Sequence, residues 1–324
     1  MSGMEVTVSR RVSNYLARPA TTSIAGDIGG TNVRFAKSRQ GQLLGGISLP
    51  MNQFRTQADL VARAALEIEK LGVGEVKLGG IGFPCPFDAD GEPLFTPPNI
   101  AYGFTGFIKS LTERTQRQFY GFNDAQAAVM GEAMFGAGMD SDIVFWHGLG
   151  TGYGLALVNG EQVFASEAGH TKLVNPLLDP GARKCGCDGN GCAEAYVSGK
   201  ALSEQYFERT GIRLTGEALG NALGNRQDPI ATEVFRKAMS YFAMNISNAS
   251  LSALGGVHVI GGGVARMGDY LLETVREMLR HDGMVSWSYG LAKHVKLFAL
   301  GDNSGLMGAA VLAEQKGRDA GIII

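Results

Sequence analysis

The chain has no excess of charge of either sign. Its 29 Lys and Arg face 31 Asp and Glu, a formal net charge of -2, so no whole-molecule field gathers nucleic acid, acidic lipid or polyanions. No apolar run nears the roughly 18 residues of a membrane span. The N-terminus lacks the basic start and hydrophobic stretch of a secretory leader, which points to a cytoplasmic protein without membrane partners. Residues 1–22 hold Arg10, Arg11 and Arg18 against only Glu5. That faintly matches a transit peptide, but a flexible N-terminal tail is the plainer expectation. Cysteine is scarce: four in 324 residues exclude a disulfide scaffold. Two common nucleotide motifs are missing as well. In "GGGVARMG", Gly261 and Gly263 fit a dinucleotide fingerprint, but Arg266 takes the place of its last glycine. In "SGKA", Ala201 replaces the hydroxyl and Glu194 the first glycine of a phosphate loop.

Glycine, by contrast, is abundant. The 47 glycines are about twice the usual share of roughly 7%, and they come in clumps, where a backbone turns sharply or meets a ligand closely. With 45% apolar and 19% charged residues, the chain is long enough for one large or two ordinary domains with a substantial core.

Ser23–Asp27 reads as a strand opening into the glycine pair of "DIGGTNVRFA", and the alternating residues that follow read as a hairpin. Thr56, with Asp59 three residues on, caps a helix whose apolar face holds Leu60, Val61, Ala64 and Ile68. Strands are expected at "VKLGGIGFP" and up to Asn123, with helices near 105–116 and from Asp124 to about Phe135. At Asp142 the pattern restarts. "DIVFWHG" leads into "GLGTGYG" and "LALV", and Thr31 matches Thr151 at an offset of 120. A duplicated strand–turn–strand unit has a direct use: two glycine turns across a cleft can hold phosphates with backbone N–H groups. Later helices are expected at 193–209 and 229–253, then "VHVIGGG" as strand and turn, a strand near 294–300 and a closing helix. Alternating strands and helices argue for an α/β protein of two similar lobes.

Three glycine clumps are the candidate nucleotide site. Gly29, Gly30, Thr31 and Asn32 offer donors beside Asp27, a carboxylate able to hold Mg²⁺ directly or through water. Gly150, Thr151 and Gly152 offer a second set. Gly261, Gly262 and Gly263 offer a side-chain-free surface for a purine and ribose. In "KCGCDGNGCAEA", Cys185, Cys187 and Cys192 supply three soft donors with C-x-C-x₄-C spacing, which in a reducing compartment suggests metal rather than cystine. Asp124, just past a strand end, reads as an N-cap.

These motifs together resemble the ROK family (repressors, open reading frames and kinases) of the actin-like ATPase superfamily. The likeness runs from "DIGGTNVRFA" through "NDAQAA", "EAGH" and "CGCDGNGCAE" to "GGGV" and "GLMGAA", about residues 23 to 315. It implies a two-lobed actin-like ATPase, ribonuclease H-like fold of duplicated βββαβαβα-type domains around a central cleft. The small lobe would take 23–123 plus a C-terminal helix at 305–320, and the large lobe 124–304. The repressors of the family carry an added DNA-binding domain, for which the residues before "IAGDIGGT" are too few. The resemblance therefore favours an ATP- and Mg²⁺-dependent hexose kinase acting on glucose, forming a homodimer or homotetramer. Other hexoses or an N-acetylhexosamine are the alternatives, as is a sugar sensor without catalysis. It implies that Asp124 is the general base, and that Asn99, Asn123, Asp124, Glu167, His170 and Glu194 bind sugar. It further implies His170 as the fourth ligand of a structural Zn²⁺ held by Cys185, Cys187 and Cys192. Two features depart from the family pattern: fourteen residues separate His170 from Cys185, and Asp188 stands where glycine is common.

Overall fold

The computed structural model describes residues 8–88, 91–94, 102–214, 218, 220–222, 228–253, 255–281 and 288–323. The chain divides into two compact units: Met1–Asp142 with Val158–Ala165 and Ala299–Ile324, and Ile143–Leu157 with Ser166–Phe298.

The first unit is built on a sheet in the order β3-β2-β1-β4-β5. Its strands are β1 (Thr22–Ile28), β2 (Asn32–Arg39), β3 (Gln42–Pro50), β4 (Leu78–Phe83) and β5 (Gln118–Asn123). The β1–β2–β3 meander is antiparallel, whereas β4 and β5 run parallel to β1. Successive side chains on a strand face opposite ways, and β1 buries both faces. Ile24 and Ile28 enter one core with Leu60 and Ile68 of helix α2 (Gln57–Lys70) and Phe107 and Leu111 of α3 (Phe107–Thr115). Ala25 packs on the other side with Leu306 and Ala310 of the C-terminal helix Ser304–Asp319. The expected cap of α2 is present as a reciprocal box: Asp59 N–H donates to Thr56 Oγ1 and Thr56 N–H to Asp59 Oδ2, both at 3.1 Å.

Helix α4 (Asp124–Phe135) lies backbone-to-backbone against that C-terminal helix. A Cβ on Gly308 would fall 1.7 Å from the Ala127 carbonyl oxygen, and one on Gly131 would fall 2.1 Å from that of Ser304. Glycine is what permits this approach. Glu132, fully buried, accepts from Ala299 N and Leu300 N at 3.0 Å and from Ser304 Oγ at 2.7 Å. This packing corrects the expected boundary. Helix α4 belongs with the first unit, and the division falls after Asp142 rather than after Asn123.

The N-terminus is a second correction. Residues 1–7 lie outside the described set, but Arg10–Leu16 form helix α1 rather than a frayed tail. The Arg11 guanidinium, 3% exposed, donates to the carbonyls of Gly160 (2.8 Å), Ser141 (2.9 Å) and Ala133 (3.0 Å). Tyr15 OH donates to Glu314 at 3.0 Å. A planar donor fork reaching several carbonyls satisfies groups that burial would otherwise leave costly.

The second sheet runs β10-β9-β6-β7-β8, from β6 (Ile143–Leu149), β7 (Tyr153–Asn159), β8 (Gln162–Ser166), β9 (Val257–Gly261) and β10 (Val295–Leu297). Counted from each sheet's first strand, this is the order of the first sheet, so the repeat read from Thr31 and Thr151 extends to whole topology, although Val158–Ala165, which holds most of β8, groups with the first unit. The second unit's core gathers Phe145 and Leu149 with Phe235, Phe242 and Ile246 of helix α7 (Pro229–Ala253) and Leu271 and Val275 of α8 (Asp269–Leu279). The helix expected at 193–209 is two, α5 (Glu194–Val197) and α6 (Gly199–Thr210), because Ser198 turns extended and caps the second by accepting from Ala201 N. Among the described residues no helix is long and apolar enough to cross a membrane. The C-terminal helix Ser304–Asp319 is α9 below.

Candidate active site

In the first unit three parallel strands end together. Asp27 of β1 is level with Gly82 of β4, and Phe83 of β4 with Asn123 of β5. Open α/β sheets bind ligands beyond such carboxyl ends. A Cβ on Gly82 would stand 3.8 Å from Asp27 Oδ1 and 3.7 Å from Asp124 Cα. Gly82 therefore stands between the Asp27 carboxylate and the backbone of Asp124, with Ala127 Cβ the nearest side-chain atom to that Cβ position, at 3.5 Å. Arg34, opposite Asp27 on β2, donates Nε to Asp27 Oδ2 at 3.2 Å, with a second guanidinium nitrogen on the same oxygen. Oδ1 is the atom turned to Gly82. Arg34 escaped the sequence reading, although its register opposite Asp27 follows from the hairpin.

Asn123, not Asp124, caps α4. Its Oδ1 accepts from Ala125 N at 3.0 Å and Gln126 N at 3.3 Å, while Gln126 Oε1 accepts from Asn123 N at 3.2 Å. Asp124 is thus the first helical residue, its Oδ1 accepting from Ala125 N at 2.7 Å. The helix N-terminus favours the carboxylate form there.

The glycine turns are subtler than expected. Gly29 N–H donates to Asn32 O at 2.9 Å, and Gly150 N–H to Gly152 O at 3.0 Å. These amides close their own turns rather than present themselves to phosphate. Gly30, Thr31 and Asn32 are exposed at the first tip, and Thr151 at the second. Gly261 is glycine because a Cβ would fall 1.8 Å from the Trp146 ring. Gly262 has φ +84° and would meet the Leu149 carbonyl oxygen at 2.6 Å. Only Gly263 has nothing within 4 Å of a Cβ position. Of the proposed flat surface, two glycines serve packing and one borders open space.

The cysteine cluster closes. One donor atom from each of His170, Cys185, Cys187 and Cys192 lies within 4.8 Å of all the others. Cys185 Sγ is 3.5 Å from His170 Nδ1, and Cys187 Sγ is 3.6 Å from Cys192 Sγ. A tetrahedral ion with bonds of about 2.3 Å to sulfur and about 2.0 Å to nitrogen separates its ligands by roughly 3.5–3.8 Å. The donor set and its edges therefore fit Zn²⁺. Burial pushes the Cys185 thiol up to about 12, so a metal bound at neutral pH must expel its proton. Both departures in the loop are accommodated. Asp188 takes a left-handed φ of 64°, which is tolerable for Asp and easiest for glycine. The long gap folds on itself, with Asn175 O accepting from Leu178 N and Asp179 N, and Asn175 Oδ1 from Leu177 N.

His170 Nε2 points away from the cluster, 3.8 Å from Glu167 Oε2. Glu194 Oε2 accepts from Tyr153 N at 2.9 Å, and its Oε1 lies 3.7 Å from Cys185 Sγ. The second unit thus gathers Glu167, His170 and Glu194 beside the cluster. Asn99 lies outside the described residues.

The chain matches the ROK family over residues 23–316. It belongs to that family. A glucokinase of Streptomyces coelicolor is 26% identical over 317 residues, covering 90% of this chain and 98% of that one. An N-acetyl-D-glucosamine kinase of Pasteurella multocida is 27% identical over 304 residues, covering 88% and 97%. A crystal structure of a ROK family glucokinase from Streptomyces griseus, in complex with glucose and AMPPNP, superposes with a TM-score of 0.74 at 26% identity, covering 91% and 99%.

This ROK chain also carries a buried polar line that no motif announces. His147 Nδ1 meets Tyr153 OH at 2.8 Å and His147 Nε2 meets His258 Nδ1 at 2.9 Å, while Asn245 Nδ2 donates to Tyr153 OH at 2.8 Å. Burial pushes His147 down to about 3 and His258 well below its ordinary value. Both imidazoles are therefore neutral, and they help to fix Tyr153, whose backbone N–H holds Glu194. In sequence each histidine is a lone residue on an apolar strand.

Proposed function

We propose that this ROK-family chain transfers the γ-phosphoryl group of ATP to the 6-hydroxyl of a hexose, D-glucose first among them. The observation that supports this reading is that the Asp27 carboxylate and the first residue of α4, Asp124, flank Gly82 at the ends of β1, β4 and β5. Phosphoryl transfer asks a protein for positioning, charge neutralisation and a proton acceptor. Asp124 is the acceptor. As the sugar oxygen bonds to phosphorus and the bond to ADP breaks, the hydroxyl proton passes to its carboxylate. Mg²⁺, held by Asp27 through Oδ1 or a water, supplies neutralisation of the phosphate charge when bound. The nucleotide turns are read separately in each unit, Gly29, Gly30, Thr31 and Asn32 in the first and Gly150, Thr151, Gly152 and Gly261–Gly263 in the second, contact falling to the exposed tips and Gly263.

Asn123 has its Oδ1 committed to the cap, so its sugar contact comes from Nδ2. Asn99, Glu167, His170 and Glu194 are read, like Asn123 and each within its own unit, as partners for sugar hydroxyls, where a lost partner is penalised heavily. Zn²⁺ at His170 Nδ1, Cys185, Cys187 and Cys192 is structural: it fixes the imidazole so that Nε2 faces outward.

The test is ADP release with ATP and Mg²⁺ across a panel of hexoses. Glucose is expected to lead. Preference for N-acetylglucosamine would move the substrate toward the Pasteurella relative's reaction, and no turnover with any sugar would overturn the kinase reading.

A further inference from the structure

Near the cysteine cluster Lys172 stands out, because it reaches a sulfur that the sugar-binding argument leaves unused. Its Nζ donates to Cys192 Sγ at 2.9 Å. The contact is anchored twice, since the Lys172 and Cys192 backbones also form a β-bridge. That bridge is flanked by Ala193 N donating to Thr171 O at 2.8 Å and Leu173 N to Gly191 O at 2.9 Å. The space for the ammonium is provided by Gly189, where a Cβ would fall 2.7 Å from Lys172 Nζ.

Charge explains the arrangement. Three thiolates and a neutral imidazole around a divalent ion total −1, and Glu194, 3.7 Å from Cys185 Sγ, adds another negative group. The neighbouring cations are engaged elsewhere: Lys184 lies 4.0 Å from Asp188, both exposed, and Arg183 makes paired contacts with Glu208. We propose that Lys172 is the charge-balancing partner of the metal cluster, binding Cys192 sulfur so that the ion stays seated and the thiolate resists electrophiles. An N–H donor on a ligating sulfur draws electron density from it, and outer partners of this kind are typically worth 10–100-fold in metal affinity. The inference rests on the zinc reading above. It makes Lys172 a positioning residue with no part in the chemical step.

The experiment compares wild type with Lys172→Met and Lys172→Arg. Zinc per chain is measured on each purified protein by elemental analysis. Zinc release to a chromogenic chelator is then followed alone and with iodoacetamide, which forms an S–C bond as iodide leaves, and the alkylated cysteine is located by mass spectrometry. Lys172→Met is expected to release zinc roughly tenfold faster and to gain alkylation at the buried Cys192 relative to the exposed Cys187, whereas Lys172→Arg, which keeps the charge, should stay near wild type. Should Lys172→Met fold poorly, Lys172→Gln, polar at an exposed position, makes the same comparison. Zinc-loaded wild type with unchanged release in the charge-less variants overturns the role of Lys172 alone. Wild type without zinc overturns both this proposal and the zinc reading.

Discussion

Counted from its first strand, each sheet runs 3-2-1-4-5 with a glycine turn after strand one, yet the two units carry different chemistry at their strand ends. The first unit holds no histidine. It sets the Asp27 carboxylate and the first residue of α4, Asp124, on either side of Gly82, where we propose that a proton is accepted. All five histidines, at 147, 170, 258, 281 and 294, and three of the four cysteines belong to the second unit. There a donor cluster and a buried imidazole pair hold carboxylates and rings in place. On the proposed reading, one scaffold is used once for reactivity and once for geometry. The difference predicts which variants lose rate and which lose affinity.

The largest effect belongs to the first unit. Asp124→Ala should lower turnover by roughly 10²–10⁴-fold while the fold and much of the sugar affinity, read by calorimetry, are retained. Substantial residual turnover would remove Asp124 from the base role and erase the contrast between the units.

Acid separates the units next. A histidine whose folded pKa lies below its unfolded value near 6.5 adds no pH dependence while both states are neutral. As pH falls below about 6.5 the unfolded chain binds protons that the folded chain refuses, and stability is lost. For His147, held near 3 by burial, the slope approaches about 1.4 kcal/mol per pH unit well below 6.5. His258 adds to it in the same direction. Glu314, raised by burial in the first unit, has the opposite sign: its cost is present at neutral pH and relieved by acid. Urea unfolding from pH 7 to 4.5, followed in each unit by hydrogen exchange, should show the second unit weakening first. A first unit that opens earlier would contradict the histidine account.

Most of the fold was legible because it rests on short-range rules. The Thr56 capping box, the 229–253 helix and the repeated hairpins follow from local spacing. The cluster of His170, Cys185, Cys187 and Cys192 was legible in part from three thiols at close spacing, and for His170 from the family resemblance. What was not legible depends on partners far along the chain. Nothing near Arg11 says that it will bind carbonyls at 133, 141 and 160, so a helix was read as a tail. Nothing local says that Gly261 makes room for Trp146, so a packing glycine was read as a ligand surface. The α4 boundary moved for the same reason, since Gly131 and Glu132 meet residues near 300.

Glycine substitutions sharpen the contrast. Gly308→Ala puts a Cβ 1.7 Å from the Ala127 carbonyl oxygen, and neither α4 nor α9 can yield without moving backbone. A loss of about 1–3 kcal/mol is expected from overpacking, measured by urea unfolding. Gly263→Ala in the second unit, with open space at its Cβ position, should be close to neutral. Equal losses at both positions would mean that the α4–α9 contact of the first unit is no more tightly packed than the turn of the second.

The smallest effect decides what the second turn is for. Gly152 was read from sequence as a phosphate donor, but a Cβ there would lie 2.6 Å from Glu194 Oε2, the oxygen that accepts from Tyr153 N. Gly152→Ala must therefore push the carboxylate off that hydrogen bond. A net bond of about 0.5–1.5 kcal/mol corresponds to roughly 2–10-fold. If Gly152 chiefly makes room for Glu194, the increase falls on KM for the sugar, with KM for ATP and kcat steady. If its main duty is to the nucleotide, KM for ATP rises instead. The two constants, measured on one variant, show whether the second glycine turn copies the first in task as well as in shape.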